Sequence, residues 1–424
     1  MSEILKNARE IITGYKGRKL RIMEVCGTHT HEIFRLGIRS LLPEDVDLIS
    51  GPGCPVCVTP VGFIDEAIYL ALEKKCTICT FGDLIKVPGT TMNMARVRAE
   101  GADIRPVYSP DDAVELAKDN PDMEVVFLAV GFETTTPSAC LAVKKAKRLG
   151  LKNFSILTAN KTMPNAYAKL KNSADAFLYP GHVNAITGTG ICEQLKNEGV
   201  SGVVAGFTAN ELMTALAVTI DNLAKGEPFF ENCYPRVVRP EGNPAAQKLM
   251  DEVMELCDTE WRGLGIIEMS GQKLKSEYAD FDARIKHDIP DITGKPNPAC
   301  RCGEVLQGKC KPSDCPMFGK ACTPLHAVGA CMVSDEGACA AYYTYGASIG
   351  WYSESEQFSI VTNGTYQNGS LTDTNYGRWW TETKTDSMPQ VDIGMMWGRN
   401  DGGMGGTFTA RNFGHSIRCI LRAN

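Results

Sequence analysis

Short apolar runs alternate with amphipathic segments along the first 235 residues. Helix-period patterns occupy 65–75, 209–225 and the segment that opens with Thr136-Pro137 and stops at Gly150. Strands that alternate with helices predict the α/β class, with parallel sheets covered by helices on both faces. Seven runs have the length of a strand, at 20–25, 46–50, 76–81, 125–130, 154–159, 176–179 and 202–207.

Changes in composition divide the chain into four segments. A polar stretch near 115–122 suggests two α/β domains, at 1–118 and 119–235. Residues 236–345 begin with a helix pattern near 245–257 and continue with seven cysteines among Gly, Pro and Lys, which predicts a metal-organised domain. Residues 346–424 contain four of the five tryptophans and are rich in Gly, Thr, Asn and Ser, which predicts a β-rich tail.

Charge and cysteine content narrow the function classes. The net charge is −6, from 44 basic and 50 acidic residues, which argues against nucleic-acid and anionic-membrane partners. No run of 18 apolar residues occurs and the start of the chain is amphipathic, so we expect a cytoplasmic protein. Seventeen cysteines against six histidines favour iron–sulfur, zinc or thiol redox chemistry over structural disulfides.

The first candidate motif places Cys26 directly after a predicted strand, with His29 three residues later. In open parallel sheets, ligands bind beyond the carboxyl ends of the strands. The cysteine is therefore a candidate metal ligand or a base-activated nucleophile. A buried cysteine beside a surface histidine is the alternative interpretation.

The second motif is the pair Cys54 and Cys57, which also follows a strand and precedes a helix. A C-x-x-C at a helix N-terminus is typical of a redox dithiol, because the helix stabilises a thiolate. Alternatively, the two cysteines form half of a zinc site or have only a structural role. The second C-x-x-C, Cys76 and Cys79, lies in an apolar run where residues three apart face opposite sides of a strand.

Polar residues follow several other predicted strands. Asp83, Glu133 and His182 would line one crevice with the thiols if these strand ends meet. Each of these segments alone is also typical of a plain βα turn. The loop at 131–136 lacks the lysine of a phosphate loop and the glycine spacing of a dinucleotide site, so nucleotide binding is unsupported.

The seven clustered cysteines favour an iron–sulfur cluster. Four thiolates can hold a [4Fe–4S] cluster or a structural zinc, but the paired knuckles of a zinc site are absent. Disulfides are the third alternative. The spacing alone does not select the four ligands among Cys300, Cys302, Cys310, Cys315, Cys322, Cys331 and Cys339.

Five motifs follow one another along the chain: CGTH at 26–29, GPGCPVC at 51–57, FGD at 81–83 with KVPG at 86–89, PGHV at 180–183 and the cysteine-rich stretch 300–339. Together these motifs resemble the [NiFe]-hydrogenase maturation factor family HypD over about residues 1–345. The resemblance implies two similar α/β domains and a third domain with a [4Fe–4S] cluster. It also implies a scaffold that, with a small HypC-type partner, assembles the Fe(CN)₂CO unit for a hydrogenase large-subunit precursor. Cyanide would come from a HypE-type donor.

The resemblance also implies roles for single residues. Cys26 would hold the iron and His29 would be its functional neighbour, while Cys54 and Cys57 would be the redox pair. The ligand spacing of the family selects four cysteines, with Cys302 close enough to replace the first of them and Cys331 as a bystander. The four implied ligands are Cys300, Cys315, Cys322 and Cys339.

Two functional hypotheses follow. The first is a scaffold for metallocluster assembly with redox activity, rather than a conventional enzyme, in which electrons pass from the cluster through Cys54 and Cys57 to iron at Cys26. Asp83 and His182 would orient ligands or move protons. The second is an Fe–S-dependent thiol–disulfide reductase, which would have no use for the separate thiol of Cys26.

The tail departs from the family. Its segments 377–381 (GRWWT) and 413–419 (FGHSIRC) resemble part of a surface module of Fibrobacter- and Bacteroidetes-like bacteria. A surface-binding module would conflict with the cytoplasmic location expected for the rest of the chain. We therefore expect residues 346–424 to be foreign to the family, either as a functional appendage or as a segment joined by gene fusion.

Overall fold

The computed structural model describes residues 3–346 and the backbone of strand segments between 366 and 408. The chain forms two compact units, Met1–Gly346 and Ala347–Asn424. In the second unit, Tyr366–Gln367 pairs with Ser370–Leu371, and Tyr376–Thr383, Asp392–Arg399 and Met404–Phe408 form a three-stranded antiparallel sheet. The remaining residues of the predicted β-rich tail lie outside the described part of the chain.

The first unit contains eleven strands in its described residues. In chain order they are β1 (Leu20–Glu24), β2 (Val46–Ser50), β3 (Thr77–Thr80), β4 (Ile104–Pro106), β5 (Val125–Gly131), β6 (Phe154–Asn160), β7 (Ala176–Pro180), β8 (Gly202–Ala205), β9 (Phe230–Asn232), β10 (Met254–Trp261) and β11 (Gly265–Leu274).

The α-helices of the first unit cover the sheets and build the cysteine-rich segment. They are α1 (Glu3–Thr13), α2 (Gly27–Arg35), α3 (Pro55–Val58), α4 (Val61–Leu72), α5 (Met94–Ala99), α6 (Pro110–Asp119), α7 (Thr136–Leu149), α8 (Pro164–Leu170), α9 (Gly181–Thr187), α10 (Gly190–Asn197), α11 (Ala209–Lys225), α12 (Pro244–Val253), α13 (Ala283–Lys286), α14 (Cys302–Leu306) and α15 (Ala338–Ala341). Short 3₁₀-helices occupy Ile38–Leu41, Gly82–Lys86, Ser276–Phe281, Pro312–Asp314 and Ala330–Met332, and a π-helical turn occupies Tyr342–Gly346.

Two parallel sheets form the framework, which confirms the predicted α/β class. The larger sheet has five strands in the order β2-β1-β7-β8-β9, and the smaller has four in the order β4-β3-β5-β6. All pairs within these two sheets are parallel. Strands β5 and β6 are buried along their whole length, as expected for parallel strands covered on both faces.

Each sheet takes strands from both sides of residue 118, so the sheets do not follow the predicted sequential division into 1–118 and 119–235. The chain leaves the larger sheet after β2, builds the smaller sheet and returns at β7. The polar segment 109–123 around the suggested boundary contains helix α6. Ser109 and Asp112 form a capping box at its start, so the polar residues there mark a helix N-terminus.

Most predicted elements lie where the apolar pattern put them. Helix α11 spans the predicted 209–225, and α7 ends at Gly150 in the left-handed conformation with φ 67°. Cys76 and Cys79 pack into different core clusters, which confirms that they face opposite sides of the smaller sheet. The helix predicted over 245–257 ends at Val253, because residues 254–257 start the antiparallel hairpin β10–β11.

The cysteine-rich segment packs on one face of the larger sheet. Its buried cysteines join a core cluster that also contains Cys54 and Cys57. The opposite face of this sheet is covered by apolar residues of α1 and α11. No helix in the described residues is long and apolar enough to cross a membrane.

Candidate metal and thiol site

Cys26 lies at the carboxyl end of β1 and is the N-cap residue of α2. The segment carrying the C-x-x-C pair approaches it closely, since the Gly27 N–H donates to the Gly53 carbonyl at 3.0 Å. A Cβ atom on Gly53 would lie only 2.1 Å from the backbone nitrogen of Cys26. Glycine is therefore required at 53 for the two cysteine loops to meet.

His182 is the histidine next to the Cys26 thiol. Its Nε2 lies 3.7 Å from the Cys26 Sγ, and residue 182 sits in the first turn of α9 after β7. Burial lowers the pKa of His182 to about 4, so the ring is neutral near pH 7. The Phe207 ring stacks on His182 with centroids 4.9 Å apart. The predicted convergence of strand ends thus joins Cys26 and His182.

His29 points away from the Cys26 thiol. Its Nε2 donates to the carbonyl oxygens of Ala205 and Gly206, at 3.2 and 3.0 Å, so the proton resides on Nε2. Its Nδ1 is buried and has no hydrogen-bond partner among the described residues. Burial lowers the pKa of His29 to about 3. His29 therefore fixes α2 against β8, while His182 faces the sulfur.

Burial also sets the protonation state of the Cys26 thiol. It raises the pKa of Cys26 to about 12, with a further contribution from the charge of Glu336. The free thiol is therefore protonated at neutral pH, and any metal bound there must displace that proton. Glu336 comes from the cysteine-rich segment and accepts a hydrogen bond from Thr28 Oγ1 at 2.7 Å. Sequence reasoning gave Glu336 no role, because its approach depends on tertiary packing.

The C-x-x-C pair forms the start of a short buried helix. Cys54 is the N-cap residue of α3, and its sulfur accepts a hydrogen bond from the Cys57 backbone at 3.3 Å. The Cys57 thiol lies within hydrogen-bonding reach of both Cys54 and Cys331. Burial raises the pKa of Cys57 well above the ordinary thiol value. The pair therefore has the position predicted for a dithiol, with a third thiol in contact.

Five cysteines of the cysteine-rich segment line one small apolar cavity. The Cys322 sulfur accepts a hydrogen bond from the Val328 backbone at 3.4 Å. A Cβ atom on Gly329 would lie 2.5 Å from the sulfurs of both Cys300 and Cys302. The two thiols therefore fit beside residue 329 only because glycine has no side chain. The lining residues are Cys300, Cys302, Cys315, Cys322, Cys339, Met317, Phe318, Val328 and Met332.

The five thiols of this cavity are the donor type that iron–sulfur clusters use. Within the described residues, no three His, Cys, Asp or Glu side chains are grouped to hold one metal ion. A cluster instead spreads its thiolate ligands around several iron atoms and tolerates an apolar wall with backbone N–H donors. Cys310 does not line the cavity.

Cys331 lies beside the cavity cysteines without lining the cavity itself. Its thiol is within hydrogen-bonding reach of Cys302, Cys339 and Cys57. The sequence contains no signal for this position, because Cys57 lies in a separate segment far from Cys331 along the chain. Cys331 thus connects the dithiol to the cysteines of the cavity.

The remaining candidates lie apart from the thiols. Asp83 is exposed in the turn after β3 and makes no side-chain hydrogen bond within the described part of the chain. Glu133 is buried after β5, where its Oε1 accepts a hydrogen bond from the Met163 backbone at 3.0 Å. Burial raises the pKa of Glu133 to about 7. The structure shows no contact of Asp83 or Glu133 with Cys26.

The fold and the site define a thiol-rich α/β protein with buried cysteines at strand ends and around one apolar cavity. The HypD family model, described as hydrogenase formation hypA family, matches residues 1–346. The chain belongs to the HypD family of hydrogenase maturation factors.

Individual relatives agree with the family match. The hydrogenase maturation factor HypD of Cupriavidus necator is 43% identical over 343 residues, covering 78% of this chain and 90% of that protein. HypD of Escherichia coli is 44% identical over 334 residues, covering 77% of this chain and 90% of that protein. A putative hydrogenase expression/formation protein of Methanocaldococcus jannaschii is 43% identical over 334 residues, covering 77% of this chain and 92% of that protein.

The family match ends at residue 346. The resemblance of residues 346–424 to a surface module stays a prediction, and most of these residues lie outside the described part of the chain.

Proposed function

We propose that this chain is the scaffold on which the Fe(CN)₂CO unit of a [NiFe]-hydrogenase is assembled. It would act with a HypC-type partner, receive cyanide from a HypE-type donor and pass the finished unit towards the hydrogenase large-subunit precursor. The observation that carries the proposal is the Cys26 thiol beside His182, at the meeting point of two cysteine loops, in a chain of the HypD family.

Cys26 would bind the iron, which is the cargo of the scaffold. Thiolate is a soft ligand suited to low-spin iron with cyanide and carbonyl. Forming the Fe–S bond releases the thiol proton to water, and the neutral His182 Nε2 at 3.7 Å would pass it on rather than keep it, because the pKa of His182 is about 4. His29 would act indirectly, by fixing the helix that begins at Cys26. This differs from the sequence-based expectation that His29 acts as the neighbour of the iron.

The cavity of the cysteine-rich segment would hold the resident [4Fe–4S] cluster. Cys315, Cys322 and Cys339 would be ligands, with either Cys300 or Cys302 as the fourth, since both line the cavity. Such a cluster supplies one-electron redox chemistry when bound. The apolar wall of Met317, Phe318, Val328 and Met332 would exclude water from it.

Cys54 and Cys57 would store two electrons for the assembly. Oxidation of this dithiol to a disulfide releases two electrons and two protons, which can support reduction steps on the iron at Cys26. The close approach of Gly53 to Cys26 supports this role, because it brings the dithiol loop against the proposed iron ligand. The contact of Cys57 with Cys331 places the pair one thiol away from the cavity cysteines.

A thiol–disulfide reductase is the second candidate function. The contact between Cys57 and Cys331 favours it, because it links a dithiol to further thiols. A reductase, however, has no role for a separate buried thiol at Cys26 with a neutral histidine beside it. The requirement for Cys26 therefore distinguishes the two functions.

Genetic complementation tests the proposal. In a bacterium whose own HypD is deleted, the wild-type chain is expected to restore hydrogenase activity, while Cys26→Ala leaves it at background. Cys140→Ala is the matched control, because Cys140 is equally buried but packs inside α7 away from the site. Activity restored by Cys26→Ala to the level of the control would contradict the scaffold function.

A further inference from the structure

A buried arginine lies next to the cysteine array without an acidic partner. Arg262 follows β10 directly and is only 9% exposed. Its Nη2 is buried without a hydrogen-bond partner in the described residues. The ion pairs found within residues 3–346 do not include Arg262. A guanidinium remains protonated in proteins, so this is a buried, uncompensated positive charge.

Arg262 lies among cysteine thiols, in a cavity that the acidic residues Glu260 and Glu304 also line. Together with Cys300 and Cys302 it lines a cavity of about 300 Å³ that adjoins the cysteine-rich segment. Burial lowers the pKa of Arg262, and negative charge on the neighbouring sulfurs acts in the opposite direction. The sulfurs close enough to do so belong to Cys302, Cys331, Cys57 and Cys300.

The hairpin β10–β11 holds Arg262 in this place. The Arg262 backbone N–H donates to the Val58 carbonyl at 2.8 Å, and its Nε donates to the Thr59 carbonyl at 2.6 Å. Both acceptors lie at the end of α3, the helix of the C-x-x-C pair. The preceding Trp261 is fully buried, and its indole N–H donates to Ser270 at 2.8 Å. The guanidinium is thus fixed between the dithiol helix and the cavity cysteines.

The following turn holds the same hairpin end against the cysteine-rich segment. A Cβ atom on Gly263 would lie 2.2 Å from the Cα of Gly303, which follows Cys302 at the start of α14. Lys161 fixes the other side of Arg262, since its Nζ donates to the Glu260 carbonyl at 2.6 Å. Contacts on both sides of residue 262 therefore fix its place beside the thiols.

A buried charge of this kind is costly unless a negative group compensates it. Cysteine sulfurs that ligate iron are thiolates, so a loaded cluster would supply negative charge beside an arginine that forms no ion pair in the described residues. We propose that Arg262 is a positioning residue of the cysteine array, whose charge raises the reduction potential of the cluster held there. This inference rests on the [4Fe–4S] site of the proposed function.

The direction of the change in reduction potential follows from the positive charge of Arg262. Reduction adds one electron to an already negative cluster, and a nearby positive charge favours the reduced form more than the oxidised form. Removing the charge therefore makes the cluster harder to reduce. We expect the equilibrium constant for reduction to fall about tenfold, which is about 60 mV for a one-electron couple.

A redox titration of the anaerobically purified chain, followed by the EPR signal of the reduced cluster, tests the proposal. Arg262→Gln and Arg262→Met should lower the potential by this amount, whereas Arg262→Lys should stay near the wild type. Arg236→Gln is the control for the loss of one positive charge, because Arg236 pairs with Glu211 at the surface and lines neither cavity. It should leave the potential unchanged.

The outcomes separate an electrostatic from a structural role. If Arg262 only caps the end of α3, the variants will change stability or cluster content without moving the potential of the cluster that remains. An unchanged potential in Arg262→Gln overturns the proposal. A wild-type chain that holds no [4Fe–4S] cluster after anaerobic reconstitution overturns both this proposal and the proposed cluster site.

A second measurement applies if the neutral variants do not fold. Chains labelled with ¹⁵N-arginine should show a weak nitrogen coupling to the reduced cluster in pulsed EPR. Arg301 lines the same cavity, so Arg301→Gln is the control here. The coupling should persist in Arg301→Gln and vanish in Arg262→Lys, which keeps the charge but has no guanidinium. A coupling that is absent from the wild type, or that vanishes in Arg301→Gln, contradicts the placement of Arg262.

Discussion

Replacing Cys54 by serine is expected to abolish hydrogenase maturation and to leave the [4Fe–4S] content unchanged. The substitution removes one sulfur of the dithiol, so no disulfide can form with Cys57. It keeps the helix cap, because a serine hydroxyl at this N-cap position can accept the Cys57 N–H that the sulfur accepts now. We therefore expect the free energy of unfolding to change by only about 1 kcal/mol.

Two readouts separate the outcomes for Cys54→Ser. Hydrogenase activity in the deletion strain should be at background, and iron and acid-labile sulfide per purified chain should equal those of the wild type. Cys140→Ala should retain both. Full maturation by Cys54→Ser would exclude the dithiol from the mechanism, and loss of the cluster in this variant would show that Cys54 has a structural role instead.

Replacing Cys322 by serine is expected to remove the cluster together with maturation. Cys322 lines the cavity and accepts a backbone hydrogen bond there, and a serine oxygen is a poorer ligand for iron than a thiolate. Iron content should fall from about four atoms per chain to a small fraction of that value. The cluster and iron content of the anaerobically purified variant can be measured by visible absorption and iron analysis.

The control for Cys322→Ser is Cys310→Ser. Cys310 lies in the same segment but does not line the cavity, so this variant should keep its full iron content. Cys331→Ser should also keep it, since Cys331 contacts cavity cysteines without lining the cavity. A cluster that survives in Cys322→Ser, or that is lost in Cys310→Ser, would contradict the ligand set.

Local sequence patterns predicted the elements and the loops that carry the main cysteines. Apolar runs of strand length correspond to seven strands of the two parallel sheets, because their burial on both faces produces continuous apolar stretches. The placement of Cys26 and Cys54 after strands followed from the same pattern. The close approach of their loops is a property of the parallel sheet, in which both strands end at one edge.

Strand pairing over long separations could not be predicted from these patterns. The return of the chain to the larger sheet at β7 depends on which edges pair, and no local signal records that choice. The hairpin β10–β11 was missed because it follows directly on helix α12 and its burial pattern does not alternate regularly. Arg262, which this hairpin carries, was therefore missed as well.

The histidine next to the Cys26 thiol is another feature that local sequence patterns could not predict. The short spacing of Cys26 and His29 made His29 the obvious partner, but α2 directs its ring to the carbonyls at the end of β8. His182, far along the chain, is the residue that faces the sulfur. Only the order of strands in the sheet, with β7 beside β1, brings it there.

The central claim is that Cys26 carries the iron of a nascent hydrogenase cofactor, and infrared spectroscopy tests it most directly. The chain would be purified anaerobically with its HypC-type partner from cells that assemble hydrogenase. The account predicts cyanide and carbonyl stretching bands in the wild type that vanish in Cys26→Ala and persist in Cys140→Ala. Bands that survive in Cys26→Ala, or a wild-type complex that has an intact redox-active cluster but no such bands, would contradict it.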